Sequence, residues 1–118
     1  MRKMKIVVAS SRRYFPELKR LRAKMNDGTN VLFPNFEEDN PKDPETLARL
    51  HREFYEKIDS AETLYVYNKN GYTGASVLVE IGYARAKGKK IYTLEPAEEL
   101  AVRDASLGHV QLTELLKK

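Results

Sequence analysis

Short apolar runs alternate with helical segments along the whole chain, and this alternation constrains the fold more than any other feature. The runs are rich in β-branched and aromatic residues and cover residues 5–9, 30–33, 63–67 and 90–94. Strands that alternate with helices are joined by right-handed crossovers, which produce a parallel sheet with helices on both faces. The sequence therefore predicts a doubly wound α/β fold, flavodoxin-like or Rossmann-like, with four to five parallel strands.

Prolines, capping residues and glycines mark the ends of the predicted helices. Pro16 opens the first helix, which we expect to stop at residues 26–28. Asp43 and Pro44 have the character of an N-cap and a first helical position, and Gly88 that of a C-cap. The predicted helices cover residues 16–25, 44–58 and 75–87, with a surface loop over residues 35–44 and helical composition in residues 96–100 and 112–117.

Length and composition predict one folded domain in the cytoplasm. At 118 residues the chain is long enough for one core and short for two, so we expect residues 1–118 to form a single domain. No apolar run approaches the roughly 20 residues that span a bilayer, and the apolar segment near the start is too short for a signal peptide. We therefore expect no membrane partner and a cytoplasmic location.

The residue types also bound the chemistry. Absence of cysteine excludes disulfides, thiolate nucleophiles and Cys-ligated metals, and His51 and His109 have no metal-site spacing. We therefore expect no metal and no cofactor. The net charge of +4 suits an anionic partner but falls short of the dense basic stripe of most nucleic-acid binders. A small phosphate-bearing ligand is favoured over nucleic acid.

Two unusual loops follow the first and third predicted strands. If the strand order is 2-1-3-4, the topological switch point lies between these strands, and ligands bind outside their carboxyl ends. The first loop contains Ser10, Ser11, Arg12 and Arg13, whose hydroxyl and guanidinium groups would cradle a phosphate at a helix N-terminus. The simpler interpretation is that a serine caps the helix and the arginines face solvent.

The second loop, residues 68–74, offers groups that could hold a sugar or a base. Asn68 and Asn70 supply amides, Tyr72 supplies a phenol, and Gly71 and Gly74 let the backbone approach a ligand closely. The same sequence is also plausible as plain turn chemistry. Its position at the switch point favours the binding role.

Glu80 lies in an otherwise apolar run, residues 77–84. At helical spacing it shares a stripe with Ser76 and Tyr83, beside a second stripe that is apolar. A lone helical glutamate is usually solvated. Here the helix begins at the switch point, and its N-terminus would help to keep the carboxylate ionised. Such a carboxylate could act as a nucleophile at the anomeric carbon of a sugar.

The segment GASVLVEIGYA, residues 74–84, followed by GKKIY, residues 88–92, resembles the nucleoside 2-deoxyribosyltransferase superfamily, which includes nucleotide N-glycosidases. The opening strand with its Ser-Ser-Arg-Arg loop also fits that family. The resemblance implies that Glu80 attacks the anomeric carbon, releasing the base and leaving a glycosyl ester. It also implies a homodimer or larger homo-oligomer in which neighbouring subunits complete each cleft. Leu112, Leu115 and Leu116 could serve such contacts or cover the chain's own sheet.

The sequence departs from the family pattern at the acids. Many active members have an aspartate or serine six residues before the glutamate, where this chain has Gly74, and aspartates near the end of the third strand, where it has Asn68 or Asn70. The group that protonates the leaving base is therefore unexplained. Tyr72 or a residue of the loop 35–43 could fill that role.

Three functions follow from these observations. The first is cleavage or transfer of the N-glycosidic bond of a nucleoside or nucleoside 5′-monophosphate, with Glu80 as nucleophile and water or another base as acceptor. The alternative is a non-catalytic nucleotide-binding or sensing module of the same fold, which the departures at the acids favour. A third hypothesis, direct nucleic-acid binding through the basic N-terminal third, requires a steep salt dependence.

Overall fold

Four parallel strands form one sheet in the computed structural model, which describes residues 4–25, 30–36 and 41–117. The strands are β1 (Ile6–Ala9), β2 (Val31–Leu32), β3 (Thr63–Val66) and β4 (Lys90–Thr93). Their order is β2-β1-β3-β4, and every neighbouring pair is parallel. The predicted fold class and strand order are therefore confirmed, and the switch point lies between β1 and β3.

The long helices begin where their capping residues predict. The five α-helices of the described residues are α1 (Phe15–Lys24), α2 (Pro44–Ser60), α3 (Ala75–Ala86), α4 (Leu100–Ala105) and α5 (Leu112–Leu116). The Asp43 carboxylate accepts a hydrogen bond of 2.8 Å from the Thr46 backbone N–H, which satisfies one free donor of the first turn of α2. Gly88 follows α3 with a φ of +74°, as expected of a residue that ends a helix.

Parts of the predicted helix boundaries were wrong or lie outside the described residues. The predicted stop of α1 at residues 26–28 falls outside, as do residues 37–40 of the predicted loop. Residues 96–100 do not form the expected helix, since α4 begins only at Leu100. The Glu98 backbone N–H donates to Gly71 O instead, at 3.3 Å, so this segment is held against the loop that follows β3.

The core lies in two layers, one on each face of the sheet. Alternate residues of β1 point to opposite faces, so Val7 and Ala9 pack with α2, α3 and α4. Ile6 and Val8 pack with α1 and α5. Helices therefore cover both faces, as the alternation of elements predicted.

The C-terminal helix belongs to the second of these layers. Leu112 and Leu115 are buried against the sheet, whereas Leu116 is exposed. Two of the three tail leucines thus cover the chain's own sheet and are not free for contacts between subunits. Among the described residues, no helix has both the length and the apolar character needed to cross a membrane.

Candidate active site

A cavity of about 270 Å³ lies beyond the carboxyl ends of β1, β2 and β3. This is the place where a parallel sheet of this order binds ligands. The volume is near the small end of the range of roughly 300–1,000 Å³ for small-molecule sites, so it suits one compact ligand. Its walls come from the loop after β1, the residues after β2, one side of α2, and the start of α3; they comprise residues 10–12, 15, 34–35, 50–51, 53–54, 57, 72–77 and 80.

Glu80 contributes a carboxyl group to this cavity from the inner side of α3. The residue is buried, with 9% of its surface exposed, because Val77, Ile81 and Ala84 beside it pack into the core. Among the described residues, none forms a hydrogen bond or ion pair with its carboxyl group. No fully enclosed side-chain oxygen of the described residues lacks a hydrogen-bond partner. The Glu80 oxygens are therefore not fully enclosed and face the cavity that the residue lines.

The protonation of Glu80 differs from the sequence-based expectation. Burial raises its pKa to about 8, and the nearby Arg12 guanidinium only partly opposes this effect. The helix N-terminus was expected to keep the carboxylate ionised. Glu80 is the sixth residue of α3, however, and the dipole effect falls off within the first turn. The carboxyl group is consequently mostly protonated at neutral pH.

Of the polar stripe predicted on α3, Ser76, Glu80 and Tyr83, only the first two residues face the cavity. Ser76 and Glu80 line the cavity. The Tyr83 hydroxyl instead donates a hydrogen bond of 2.7 Å to the Asp59 carboxylate, and its ring stacks on Tyr55 with 4.8 Å between the centroids. Tyr83 therefore connects α3 to α2 outside the cavity.

The loop after β1 supplies polar groups to the cavity and also caps the helical turn that follows it. Ser10, Ser11 and Arg12 all line the cavity. The Ser10 hydroxyl donates to Ser11 O at 2.9 Å, and the Ser11 hydroxyl accepts from the Arg13 backbone N–H at 3.4 Å. The capping interpretation therefore holds for Ser11, and it leaves the loop in place to meet a ligand.

Arg13 has a different position from Arg12. It is exposed, and its guanidinium carbon lies 3.8 Å from the centroid of the Tyr72 ring. Tyr72 lines the cavity, whereas Arg13 does not. Arg13 thus backs the aromatic wall by a cation–π contact, and it does not face the cavity itself.

The first half of the loop 68–74 is bonded to the segment that follows β4. The buried Asn68 side chain donates to Glu95 O at 2.9 Å and accepts from the backbone N–H groups of Leu94 and Glu95 at 3.0 and 2.9 Å. Asn70 has a φ of +59°, and its backbone N–H donates to the Glu95 carboxylate at 2.6 Å. The side chains of both asparagines lie outside the cavity lining.

Gly71 is also part of this bonded half of the loop. Its φ is +81°, and a Cβ at this position would lie 3.0 Å from Glu98 Cγ and 3.1 Å from Pro96 O. The close approach of Pro96 and Glu98 requires glycine for a structural reason. Gly71 too lies outside the cavity lining, so the sequence analysis joined residues that the structure separates.

The second half of the same loop does line the cavity. Tyr72, Thr73 and Gly74 form its wall and lead into the first turn of α3. Gly74 has a φ of +82°, and a Cβ there would lie 3.6 Å from both Ser11 Cβ and the Tyr72 ring. The candidate residues that share the cavity are thus Ser10, Ser11, Arg12, Tyr72, Gly74, Ser76 and Glu80.

One side of α2 forms a wall that the sequence analysis missed. Leu50, Phe54 and Lys57 follow each other at helical spacing along the cavity. The Lys57 ammonium donates a hydrogen bond of 2.8 Å to Phe33 O, and burial lowers its pKa. The signal that could have revealed this wall is a cation placed at the end of an apolar stripe. His51, Glu53, Phe15, Pro34, Ala75 and Val77 were also missed, whereas Asn35 and Thr73 belong to the loops 35–43 and 68–74 that the sequence singled out.

The strand order and the cavity together define a flavodoxin-like α/β protein with a cavity at its switch point. The fold is similar to that of 2-deoxyribosyltransferase from the psychrotolerant bacterium Bacillus psychrosaccharolyticus, with a TM-score of 0.66 and 17% identity over 97% of this chain and 91% of that one. It is also similar to Clostridium botulinum CMP N-glycosidase, BcmB, with a TM-score of 0.54 and 22% identity over 96% of each chain.

These similarities bear on the fold. The fold implied by the resemblance to the nucleoside 2-deoxyribosyltransferase superfamily is therefore confirmed. No protein-family model and no curated protein matches the chain.

Proposed function

We propose that this protein cleaves or transfers the N-glycosidic bond of a nucleoside or nucleoside 5′-monophosphate, with Glu80 as nucleophile. One observation carries the proposal: a buried carboxyl group, without a bonding partner among the described residues, lines a small cavity at the switch point. The fold similarity to a 2-deoxyribosyltransferase and a CMP N-glycosidase supports this class of reaction. A partner-free carboxyl group in a cavity is what a glycosyl-forming nucleophile requires.

In the proposed reaction, an ionised Glu80 oxygen forms a bond to C1′ while the bond from C1′ to the base nitrogen breaks. The electron pair of the broken bond leaves with the base, and the sugar stays attached to Glu80 as an ester. Water or a second base then attacks C1′ and restores the carboxylate. Since burial raises the pKa of Glu80 to about 8, the ionised fraction and the rate of base release should rise with pH up to that value.

The phosphorylated substrate is favoured by the polar end of the cavity. Ser10, Ser11 and Arg12 meet there with the first turn of α3. Hydroxyl groups, a guanidinium and a helix N-terminus are the groups that bind phosphate in proteins. A 5′-phosphate at this end would hold the sugar between the two loops, with its anomeric carbon toward Glu80.

Release of free base from a panel of nucleosides and 5′-monophosphates, followed by chromatography, tests the proposal. We expect release by the wild-type protein and a loss of at least about 10³-fold in Glu80→Gln, which keeps the side-chain shape but removes the nucleophile. Glu56→Gln is the matched control, because Glu56 is exposed on α2 and lies outside the cavity lining. Absence of release, or equal release by Glu80→Gln, rejects the proposal.

A binding module without turnover is the second candidate function. It is favoured by the raised pKa of Glu80, which leaves little nucleophile at neutral pH, and by the lack of an acid at positions 68, 70 and 74. This function predicts that nucleotides raise the melting temperature while no base is released between about pH 6 and pH 9. Melting curves that stay flat across the panel exclude it.

We also propose that the protein forms a homodimer or larger homo-oligomer. The outer side of α3 carries two exposed apolar residues, Leu78 at 40% and Val79 at 59% exposure. Apolar side chains exposed together on one helix are typical of contacts between subunits. Static light scattering should give a mass of at least twice that of the 13.6 kDa chain, whereas a monomer contradicts this proposal.

A further inference from the structure

The proposed reaction needs a proton donor for the leaving base. A base that leaves without a proton carries negative charge, and general acids relieve this cost by protonating it. The positions at which the sequence resemblance implies an acid hold Asn68, Asn70 and Gly74. The Asn68 side chain is occupied by backbone groups of Leu94 and Glu95. A donor for this chain therefore has to come from another wall of the cavity.

Lys57 is held in that cavity on the side formed by α2. Its ammonium group donates a hydrogen bond of 2.8 Å to Phe33 O, the carbonyl that follows β2. The residue is half-buried and follows the buried residues Leu50 and Phe54 along the same stripe of the helix. One bond to Phe33 leaves two ammonium protons for a ligand.

Different charged residues act on the pKa values of Lys57 and Glu80. Burial chiefly lowers the pKa of Lys57, Arg22 from α1 lowers it further, and Glu53 opposes them. The charge that acts on the Glu80 pKa is that of Arg12. Both residues line the same cavity, Lys57 from α2 and Glu80 from α3. A lowered pKa also makes the ammonium a better acid near neutral pH.

The other polar groups of the cavity are less suited to donate a proton. A guanidinium such as that of Arg12 does not release its protons in proteins. Glu53 forms an ion pair of 2.9 Å with Arg49 and so holds no proton to donate. Tyr72 and His51 are the remaining competitors: the Tyr72 phenol carries a proton, and the His51 ring centroid lies 6.3 Å from that of Tyr55, with no hydrogen bond among the described residues to orient it.

We propose that Lys57 is the general acid that protonates the leaving base. As Glu80 bonds to C1′ and the bond to the base breaks, the electron pair on the base takes a proton from the Lys57 ammonium, which leaves a neutral base and a neutral amine. Water then attacks C1′, the Lys57 amine takes its proton, and the Glu80 carboxylate is released. This inference rests on the proposed function, and it assigns the step that the sequence left unexplained.

The dependence of the rate on the leaving base tests this role. The probes are the best 5′-monophosphate from the base-release panel and an analogue whose base leaves more easily, a 5-fluoro derivative for a pyrimidine or an N7-methyl derivative for a purine. We expect Lys57→Met to lower kcat on the parent nucleotide by on the order of 10²-fold, and on the activated analogue by less than about 10-fold. Equal losses on both overturn the inference, since a structural defect does not depend on the base.

Lys57→Arg distinguishes proton donation from a structural role of the hydrogen bond to Phe33 O. It also provides a test if Lys57→Met does not fold. Arginine keeps the charge and can keep the hydrogen bond to Phe33 O, but it cannot give up a proton. We therefore expect Lys57→Arg to melt near the wild-type temperature and yet to show the same selective loss on the parent nucleotide. Full activity of Lys57→Arg on the parent contradicts the proposal.

Three further variants control for location and for the two competing donors. Lys89→Met also removes a bond from a lysine ammonium to a backbone carbonyl, Asp59 O at 3.0 Å, but outside the cavity lining, and should change kcat by less than about twofold. His51→Gln should lower the rate on both nucleotides by the same factor. Tyr72→Phe, which removes only the phenol proton donor, should likewise lower both rates by one factor. If His51→Gln or Tyr72→Phe shows the selective loss instead, that residue is the acid and the inference is wrong.

Failure of this inference is distinguishable from failure of the proposed function. If the wild-type protein releases base and the Lys57 variants lose activity equally on both nucleotides, only the role of Lys57 is rejected. If the wild-type protein releases no base from any member of the panel, the reaction itself is rejected, and Lys57 has no leaving group to protonate.

Discussion

The two halves of the loop between β3 and α3 offer similar kinds of residues but have different positions relative to the cavity. Residues 68–71 and residues 72–74 both combine polar side chains with glycine. In the first half, Asn68 satisfies three backbone groups after β4, and Gly71 admits the close approach of Pro96. In the second half, Tyr72, Thr73 and Gly74 line the cavity. The first half holds the edge of the sheet together, and the second half is placed by it.

Asn68 and Glu80 differ in the same way as the two halves of the loop. Both side chains are buried at the carboxyl end of the sheet. The amide oxygen and the amide nitrogen of Asn68 both have protein partners. The Glu80 carboxyl group has none among the described residues and faces the cavity. A buried polar group that is fully bonded stabilises the fold, and one that is left without a partner is available for a ligand. The predictions below test this distinction.

The largest effect on stability is expected from Asn68→Ala. The substitution removes three hydrogen bonds and leaves the Glu95 N–H without a partner, whereas the Leu94 N–H keeps Val66 O and the Glu95 carbonyl keeps the Thr93 hydroxyl. Each lost hydrogen bond costs roughly 1 kcal/mol, so we expect the free energy of unfolding to fall by about 3 kcal/mol in urea denaturation.

Asn70→Gly is the control for this prediction. Asn70 is exposed, and glycine tolerates its φ of +59°. The free energy of unfolding should therefore stay within about 0.5 kcal/mol of the wild-type value. If Asn68→Ala is as stable as Asn70→Gly, Asn68 does not hold the loop, and its role as a ligand group would have to be reconsidered.

Most of the fold could be predicted from the sequence because its signals are local. The β-branched runs, the Asp43 cap and Gly88 each depend on residues within a few positions of one another. The same is true of the loop at residues 10–12, which follows a buried strand and therefore reaches the switch point. Glu80 was recognisable for a similar reason, since its apolar neighbours in the sequence set it apart.

The remaining features depend on partners that are distant in the sequence. Asn68 is bonded to Glu95, 27 residues later, so a turn-forming asparagine could not be told from a ligand-binding one. Lys57 is directed toward the cavity by Phe33, 24 residues earlier. The pKa of Glu80 depends on burial by elements from the whole chain, which is why the local argument from the helix N-terminus gave the wrong protonation state.

A smaller effect, of about 2 kcal/mol, is expected from the pH dependence that Glu80 gives to stability. Its folded-state pKa, about 8, lies above the ordinary value of 4.5. At pH values between the two, the folded state holds a proton that the unfolded state has lost, so the free energy of unfolding falls as pH rises. Below this window both states are protonated, and above it both are ionised, so the curve is level on either side.

Glu80→Gln isolates this contribution because glutamine stays neutral at every pH. Urea denaturation of both proteins should show the wild type losing about 2 kcal/mol relative to Glu80→Gln between about pH 5 and pH 9, less than the full pKa shift implies because the cavity admits water. Arg12 and Tyr55 also interact with the Glu80 charge, but both are present in the two proteins. A constant difference across this range would mean that the Glu80 carboxyl group is well solvated. The distinction between a bonded loop and a partner-free carboxyl group would then lose its physical basis.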